Sequence, residues 1–336
     1  MRFEILERKQ MAKIYYNKDA DLKALKGRKV AVIGYGIQGR AQSLNLRDSG
    51  VDVVLGLNLK DETWKRAKAD KMKIMSIPDA VKSSDIVMML IPDEVQKSVY
   101  DKDVAPYLRK GMVLDFAHGF NIVFKRIVPP KNIDVIMVAP KGPGALVRET
   151  YLAGIGVPAL VAVQQDHSGK ALKVALAIAK GLKATTRGVI LTTFKEETET
   201  DLFGEQVDLC GGASALVRTS FDVLVEEGYQ PEIAYFEVLH ELKLIIDLVQ
   251  KGGIEGMWDG VSNTAEYGGR TRGNRIIDDR TRQTMKDILR DIQSGDFARE
   301  WVAEHEAGMP TLKKLRDEGE KSQIEAVGQK IRKMFS

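Results

Sequence analysis

Short apolar runs alternate with helix-period stretches through the first half of the chain, and helix-period stretches alone fill the second. Apolar, often β-branched runs at 29–33, 51–55, 73–75, 85–91, 112–116 and 134–139 read as buried strands. Further runs at 155–163 and 185–191 continue the series. Helical spacing follows Gly39 up to Gly50, begins at 78–82, covers 95–108 and returns at about 168–181. Strand after helix after strand predicts an α/β architecture: a Rossmann-type, doubly wound parallel sheet. Residues 1–25 are polar and mixed, a lead-in arm or a short strand and helix, and the first ten read as an extension.

The character changes after Leu191. Residues 192–200, rich in Thr, Glu and Lys, read as a linker and helix cap. This divides the chain into a dinucleotide-type domain over 1–193 and an all-helical domain over 194–336. The helical part includes a segment starting at Pro231 that is apolar almost all round and ends at Gly252-Gly253, so burial is expected for it.

Gly34, Gly36 and Gly39 form G-x-G-x-x-G directly between a strand and a helix. Alone that pattern is weak, but in this setting it is specific for a dinucleotide. The first glycine permits the turn, the second lets backbone approach a pyrophosphate, and the third lets helix and strand pack closely. Tyr35, Ile37 and Gln38 complete the candidate loop, and its helix N-terminus faces the phosphates. Ligands in such sheets sit outside the carboxyl ends of strands. That singles out three tips: Ile91–Glu94 with Pro92, His118 to Phe120, and Lys141 to Gly144. After the strand at 51–55 no acid stands at Leu57 or Asn58, whereas Asp61 and Glu62 follow closely and no arginine precedes Arg66. Asp61 and Glu62 repel a ribose 2′-phosphate, while Lys60 and Thr63 favour it, so the loop suits NADH or mixed NADH and NADPH use rather than strict NADPH.

Asp201 and Glu205 stand four apart on a helix with Leu202, Phe203, Val207 and Leu209, which stacks them on one face. Glu237 and Glu241 repeat the spacing in the apolar helix after Pro231. Carboxylates on apolar helices call for a cation, and four hard oxygen donors suit Mg²⁺ or Mn²⁺, not zinc. Surface acidic pairs with this spacing are also common, so the pattern alone leaves both readings open. Lys141 and His118 read from position alone as a solvated lysine and a structural histidine, or as charge-bearing groups beside the cofactor. Ser262 by default caps the next helix.

The 336 residues are 44% hydrophobic and 29% charged, with net charge +4 and both signs interleaved. No basic stripe marks a nucleic-acid partner, and no apolar run is long enough to cross a membrane. The N-terminus lacks a secretory pattern, and the lone Cys210, expected as a small buried side chain, fits a reducing cytoplasm.

Six motifs in one order (G-Y-G-x-Q-G, D-F-A-H-G-F, A-P-K-G-P-G, D-L-F-G-E-Q, F-E-x-L-H-E-L-K and S-N-T-A-E-Y-G) resemble short-form ketol-acid reductoisomerase, also called acetohydroxyacid isomeroreductase, across nearly the whole chain from about Ile14. The resemblance implies conversion of 2-acetolactate, or its ethyl homologue, by Mg²⁺-dependent alkyl migration and then nicotinamide reduction, in branched-chain amino-acid synthesis. It implies that Asp201 and Glu205 ligate metal, with Asp201 bridging two Mg²⁺. Glu237 and Glu241 would come from the partner of a homodimer with a knotted helical domain, able to assemble further. It implies active-site roles for Lys141 and His118, proton transfer at Glu241, and a substrate-carboxylate contact at Ser262. Ile37, Arg40, Asn58 and Asp61 depart from the family's usual residues, and Asn58 and Asp61 put an NADPH preference in question. A metal-free β-hydroxyacid dehydrogenase and a nicotinamide-sensing regulator are the rival classes.

Overall fold

The computed structural model describes residues 12–58 and 62–334, and the proposed extension over the first ten lies outside them. The chain divides into two compact units, Met1–Thr198 and Glu199–Ser336.

Among the described residues the first unit carries nine strands: β1 (Ile14–Tyr15), β2 (Lys29–Ile33), β3 (Asp52–Gly56), β4 (Ile74–Met75), β5 (Ile86–Met89), β6 (Val113–Phe116), β7 (Asp134–Pro140), β8 (Ala159–Gln165) and β9 (Val189–Leu191). They form one sheet in the order β1-β9-β8-β7-β6-β5-β2-β3-β4. The run from β7 through β4 is parallel throughout. At the other end β7 and β8 pair antiparallel, as do β1 and β9, so the sheet is mixed at one edge. The connection from β7 to β8 carries one helix but returns the chain against its neighbour. β2, β5 and β6 are buried on both faces, and nearly all apolar, because helices cover both faces of the sheet.

The helices of this unit are α1 (Ile37–Asp48), α2 (Thr63–Ala69), α3 (Ile77–Lys82), α4 (Asp93–Val99), α5 (Phe120–Val123), α6 (Gly144–Leu152) and α7 (Ala171–Gly181). The expected helix at 95–108 is broken: α4 passes into a π turn at Tyr100–Val104 and a 3₁₀ turn holding Pro106. From β2 the chain steps to β3 and β4, then returns to place β5 on the other side of β2. That reversal is the switch point at which open α/β sheets hold ligands.

The stretch read as a linker and helix cap holds the cap at Thr193, and from Phe194 it is helix rather than linker. α8 (Phe194–Gly204) begins two residues after Thr192, capped where the Glu196 N–H donates to Thr193 Oγ1 at 3.0 Å. It passes into a π turn at Glu205–Leu209 and on into α9 (Gly211–Glu226). α10 (Pro231–Tyr235) likewise continues through a π turn at Phe236–His240 into α11 (Glu241–Trp258). Non-helical Gly253 kinks α11, where the glycine pair was expected to end it. α12 (Asn263–Ile276), α13 (Asp279–Ser294), α14 (Asp296–Glu306), α15 (Pro310–Glu320) and α16 (Gln323–Arg332) complete the second unit.

The core of the second unit gathers Val217, Phe221, Ala234, Tyr235, Ile324, Val327 and Ile331, with Val238, Leu239 and Leu242 against it. It covers one side of the segment only between Ala234 and Leu242. The expected burial of the rest is not met within one chain, where Leu244, Ile246 and Ile254 are each more than half exposed. An all-apolar helix is buried only where something covers every face. Cys210, expected buried, is exposed with Leu209 on an uncovered turn of the same kind.

Asp115 on β6 is fully buried between Met88 and Ile136 of the neighbouring strands. Burial pushes its carboxyl well above the ordinary range, more than the backbone N–H groups of Val138 and Phe116 lower it. The folded chain then holds a proton that the unfolded chain loses above about pH 4. Stability therefore falls as pH rises from there through the folded-state value. Asp115→Asn is expected to raise the thermal midpoint at pH 8 and to leave it nearly unchanged at pH 4. Calorimetry showing the same difference at both pH values would contradict this origin.

Candidate functional site

β2 ends at Ile33, and the chain turns through Gly34, Tyr35 and Gly36 into α1. Gly34 has φ +97°, and a β carbon there would meet the Leu90 carbonyl oxygen at 2.7 Å. At Gly39 a β carbon would meet the Gly34 carbonyl oxygen at 2.6 Å. Only glycine lets the ends of β2 and β5 and the first turn of α1 come this close. Space in front of Gly36 is open, and no side chain caps the α1 N-terminus. First-turn amides have no partner inside their own helix, so this turn suits a pyrophosphate. Ile37 beside it is 75% exposed.

The Lys141 loop is fastened to this turn. Gln38 Nε2 donates to the Gly142 carbonyl at 2.9 Å. At Gly144 the N-terminus of α6 lies so near the Ile37 carbonyl that no β carbon would fit. Asn45 Nδ2 donates to the Val147 carbonyl, and Arg148 binds Asn45 and Asp48, which docks α6 along α1. Pro92 opens α4 on the opposite side of the crevice, at the end of β5. Asn58 is exposed and Thr63 is half-buried at the start of α2. Lys60 and Asp61 lie outside the described residues.

Glu197, a residue not singled out from sequence, joins two that were. Its side chain is 1% exposed. Oε2 lies 3.1 Å from His118 Nδ1 and accepts the Gly119 N–H at 3.3 Å, while Oε1 accepts from Lys141 Nζ at 3.1 Å. Burial pushes the Glu197 carboxyl up, but the hydrogen bonds and charges of His118 and Lys141 outweigh it and hold the group below the ordinary carboxylate range. Gly119 sits against Phe194 and Thr198 with no room for a β carbon, so α8 approaches the end of β6 closely. The result is an ionised carboxylate, a lysine and an imidazole held together at the carboxyl ends of β6 and β7. One signal for Glu197 was available: it stands one turn before Asp201, on the same side of the same helix.

In the second unit Asp201 is half-buried on α8, while Glu205 is exposed where the helix enters its π turn. Glu237 and Glu241 are exposed, one inside the other π turn and one directly after it. Single π turns inside helices recur at functional sites, because the extra residue re-aims side chains. The expectation that all four acids point into packed surroundings holds within the chain for Asp201 alone. Among the described residues, Glu205, Glu237 and Glu241 do not converge into a metal-sized cluster. Ser262 caps α12, its Oγ accepting the Ala265 N–H at 3.2 Å, as the default reading had it.

Residues 24–188 match the family model for the acetohydroxy acid isomeroreductase NADPH-binding domain, and residues 194–336 match that for the ketol-acid reductoisomerase C-terminal domain. A Pyrobaculum aerophilum protein named ketol-acid reductoisomerase (NADP(+)) is 57% identical over 97% of this chain and 99% of its own length. A Methanocaldococcus jannaschii protein of the same name is 54% identical over 96% and 98%. The solved structure of an NADH-preferring ketol-acid reductoisomerase from an uncultured archaeon is 48% identical, with a TM-score of 0.94 over 96% of this chain and 99% of that one. A Cupriavidus necator semialdehyde dehydrogenase NAD-binding protein, 18% identical with a TM-score of 0.60 over 80% of this chain and 99% of that one, shares the fold.

A carboxyl held low when folded adds stability above its unfolded value, which is lost as pH falls through the folded one. Glu197→Gln is therefore expected to cost about 2–3 kcal/mol of stability at pH 7, with the difference shrinking below about pH 4. Denaturant titrations at the two pH values check this, and equal losses at both would contradict it.

Proposed function

The chain belongs to the ketol-acid reductoisomerase family, and on that premise we propose that it converts 2-acetolactate, or 2-aceto-2-hydroxybutyrate, to the 2,3-dihydroxy acid by Mg²⁺-dependent alkyl migration followed by hydride reduction. The observation that carries this reading is the buried Glu197 joining His118 and Lys141 on strand tips beside the glycine turn. It keeps a cation and an imidazole next to where a nicotinamide ring would lie.

Gly34 to Gly39 would hold the dinucleotide, with Pro92 and Gly144 flanking it and Asn58 and Thr63 on the ribose side. When bound, the dinucleotide supplies the hydride. NADH and NADPH are both accepted in this reading: no arginine stands between Asn58 and Thr63, and family members named for NADP(+) and for NADH preference both resemble this chain.

Asp201 and Glu205 on one protomer, with Glu237 and Glu241 on another, would hold two Mg²⁺ ions. Every donor in that set is a hard oxygen, which suits the ion. When bound, Mg²⁺ supplies Lewis-acid polarisation of the ketone and hydroxyl oxygens. The exposed acids share the second unit with uncovered apolar residues such as Leu244, Ile246 and Ile254, which favours a second copy of this chain as the missing cover.

The chain's own groups then have separate tasks. Lys141, held by its hydrogen bond to Glu197, donates to a substrate oxygen and steadies negative charge there. His118 holds its Nδ1 toward Glu197, which fixes the ring. Glu241 would take up and return the proton that moves in the reaction. Ser262 Oγ already accepts from Ala265, so its hydroxyl hydrogen is left to donate to the substrate carboxylate. No described helix is long and apolar enough to cross a membrane.

Purified chain with Mg²⁺ and 2-acetolactate is expected to oxidise NADH and NADPH, and EDTA to abolish turnover. Oxidation of neither, or activity that survives EDTA as in a metal-free β-hydroxyacid dehydrogenase, would overturn the reading. Asp201→Asn and Glu237→Gln, each inactive alone, are expected to recover about a quarter of wild-type activity when co-expressed, because random mixing leaves one intact shared site in each mixed dimer. No recovery would contradict a shared site.

A further inference from the structure

We infer that Asp70 is a positioning residue for the dinucleotide, tying the glycine turn to the helix that follows the ribose-side loop. Asp70 ends α2, the helix that begins at Thr63. Its carboxylate takes three hydrogen bonds, all from the glycine turn and α1. Arg40 grips it with two, Nε to Oδ2 at 2.7 Å and Nη2 to Oδ1 at 2.9 Å, and the Tyr35 hydroxyl donates to Oδ2 at 2.8 Å. Arg47 Nη1 adds a bond to the Asp70 carbonyl at 2.6 Å. Tyr35 is the residue between Gly34 and Gly36, and its ring is buried at 1% exposure.

The charges stand where local helix physics disfavours them. An aspartate at the end of α2 faces the negative pole of that helix, and Arg40 in the first turn of α1 faces the positive pole of its own. Each is tolerable because the other is there. Charge pairs that oppose their helix dipoles mark a constraint from outside the helices. Here the constraint is the Gly34–Gly36 backbone, whose only side chain, Tyr35, is anchored by the same carboxylate. The bidentate fork fixes direction as well as distance. Asp70 thus sets how the first-turn amides of α1 face the crevice, and how the start of α2 stands beside them. Neither arm requires Asp70 to touch the cofactor.

This inference rests on the dinucleotide reading proposed above. The test is titration of NADPH and NADH into the full-length chain, followed by nicotinamide fluorescence, for wild type, Asp70→Asn and Tyr35→Phe. Losing a charged hydrogen bond is worth about tenfold in a dissociation constant. Asp70→Asn is expected to weaken both dinucleotides about tenfold, and Tyr35→Phe by less in the same direction. In the assay with Mg²⁺ and 2-acetolactate, the KM for dinucleotide is expected to rise more than kcat falls, with the KM for 2-acetolactate changed less than twofold. Arg40→Ala combined with Asp70→Asn is expected to cost less than the sum of the two, as residues of one network do. A lowered thermal midpoint with unchanged dinucleotide affinity in both single variants would overturn the inference and leave Asp70 merely structural. Tighter binding of NADPH by Asp70→Asn would also overturn it, by showing that the carboxylate withholds Arg40 from phosphate. A wild-type chain that binds neither dinucleotide would instead overturn the cofactor reading itself.

Discussion

A buried carboxylate must be neutralised, and in the first unit Glu197 meets that requirement with the two side chains proposed above to act on the substrate. Removing an ion from water costs several kcal/mol unless partners with good geometry replace the solvent. Glu197 finds them in Lys141, His118 and the Gly119 amide. Lys141 lies at the tip of β7, and His118 and Gly119 lie on the loop that follows β6. One side chain from α8 therefore fixes the relative places of two strand ends. A second set of bonds, from Gln38 to Gly142 and across the Gly144–Ile37 contact, fixes the β7 tip to the glycine turn. Cofactor turn, lysine and histidine form one connected piece.

The glycine turn was legible in the sequence because steric exclusion writes itself directly into residue identity. Gly34 and Gly39 are there because nothing larger fits, and strand and helix periodicity around them is unbroken. Most strands fell within a few residues of their apolar runs for the same reason. Glu197 was illegible because it lies in E-E-T-E-T-D, a stretch whose composition suits a solvated cap. Helical spacing back from Asp201 would have put it on the inner side, but polar composition argued for a linker. The antiparallel β7–β8 pairing was also hidden, since a buried strand reads the same in either direction.

The second unit shows the opposite failure. The segment after Pro231 is so apolar that burial was the natural expectation, yet Leu244, Ile246 and Ile254 are open in the single chain. Periodicity reports which residues want cover, not which molecule supplies it. Glu205, Glu237 and Glu241 are likewise exposed within the single chain, on or beside π turns.

The central claim is that the Glu197 carboxylate assembles the reactive groups rather than merely stabilising the fold. Single-turnover oxidation of pre-bound NADPH, on mixing with Mg²⁺ and 2-acetolactate, tests it most directly in a folded Glu197→Gln variant. The rate is expected to fall at least about a hundredfold below wild type with NADPH affinity unaltered. A wild-type rate in that variant would contradict it.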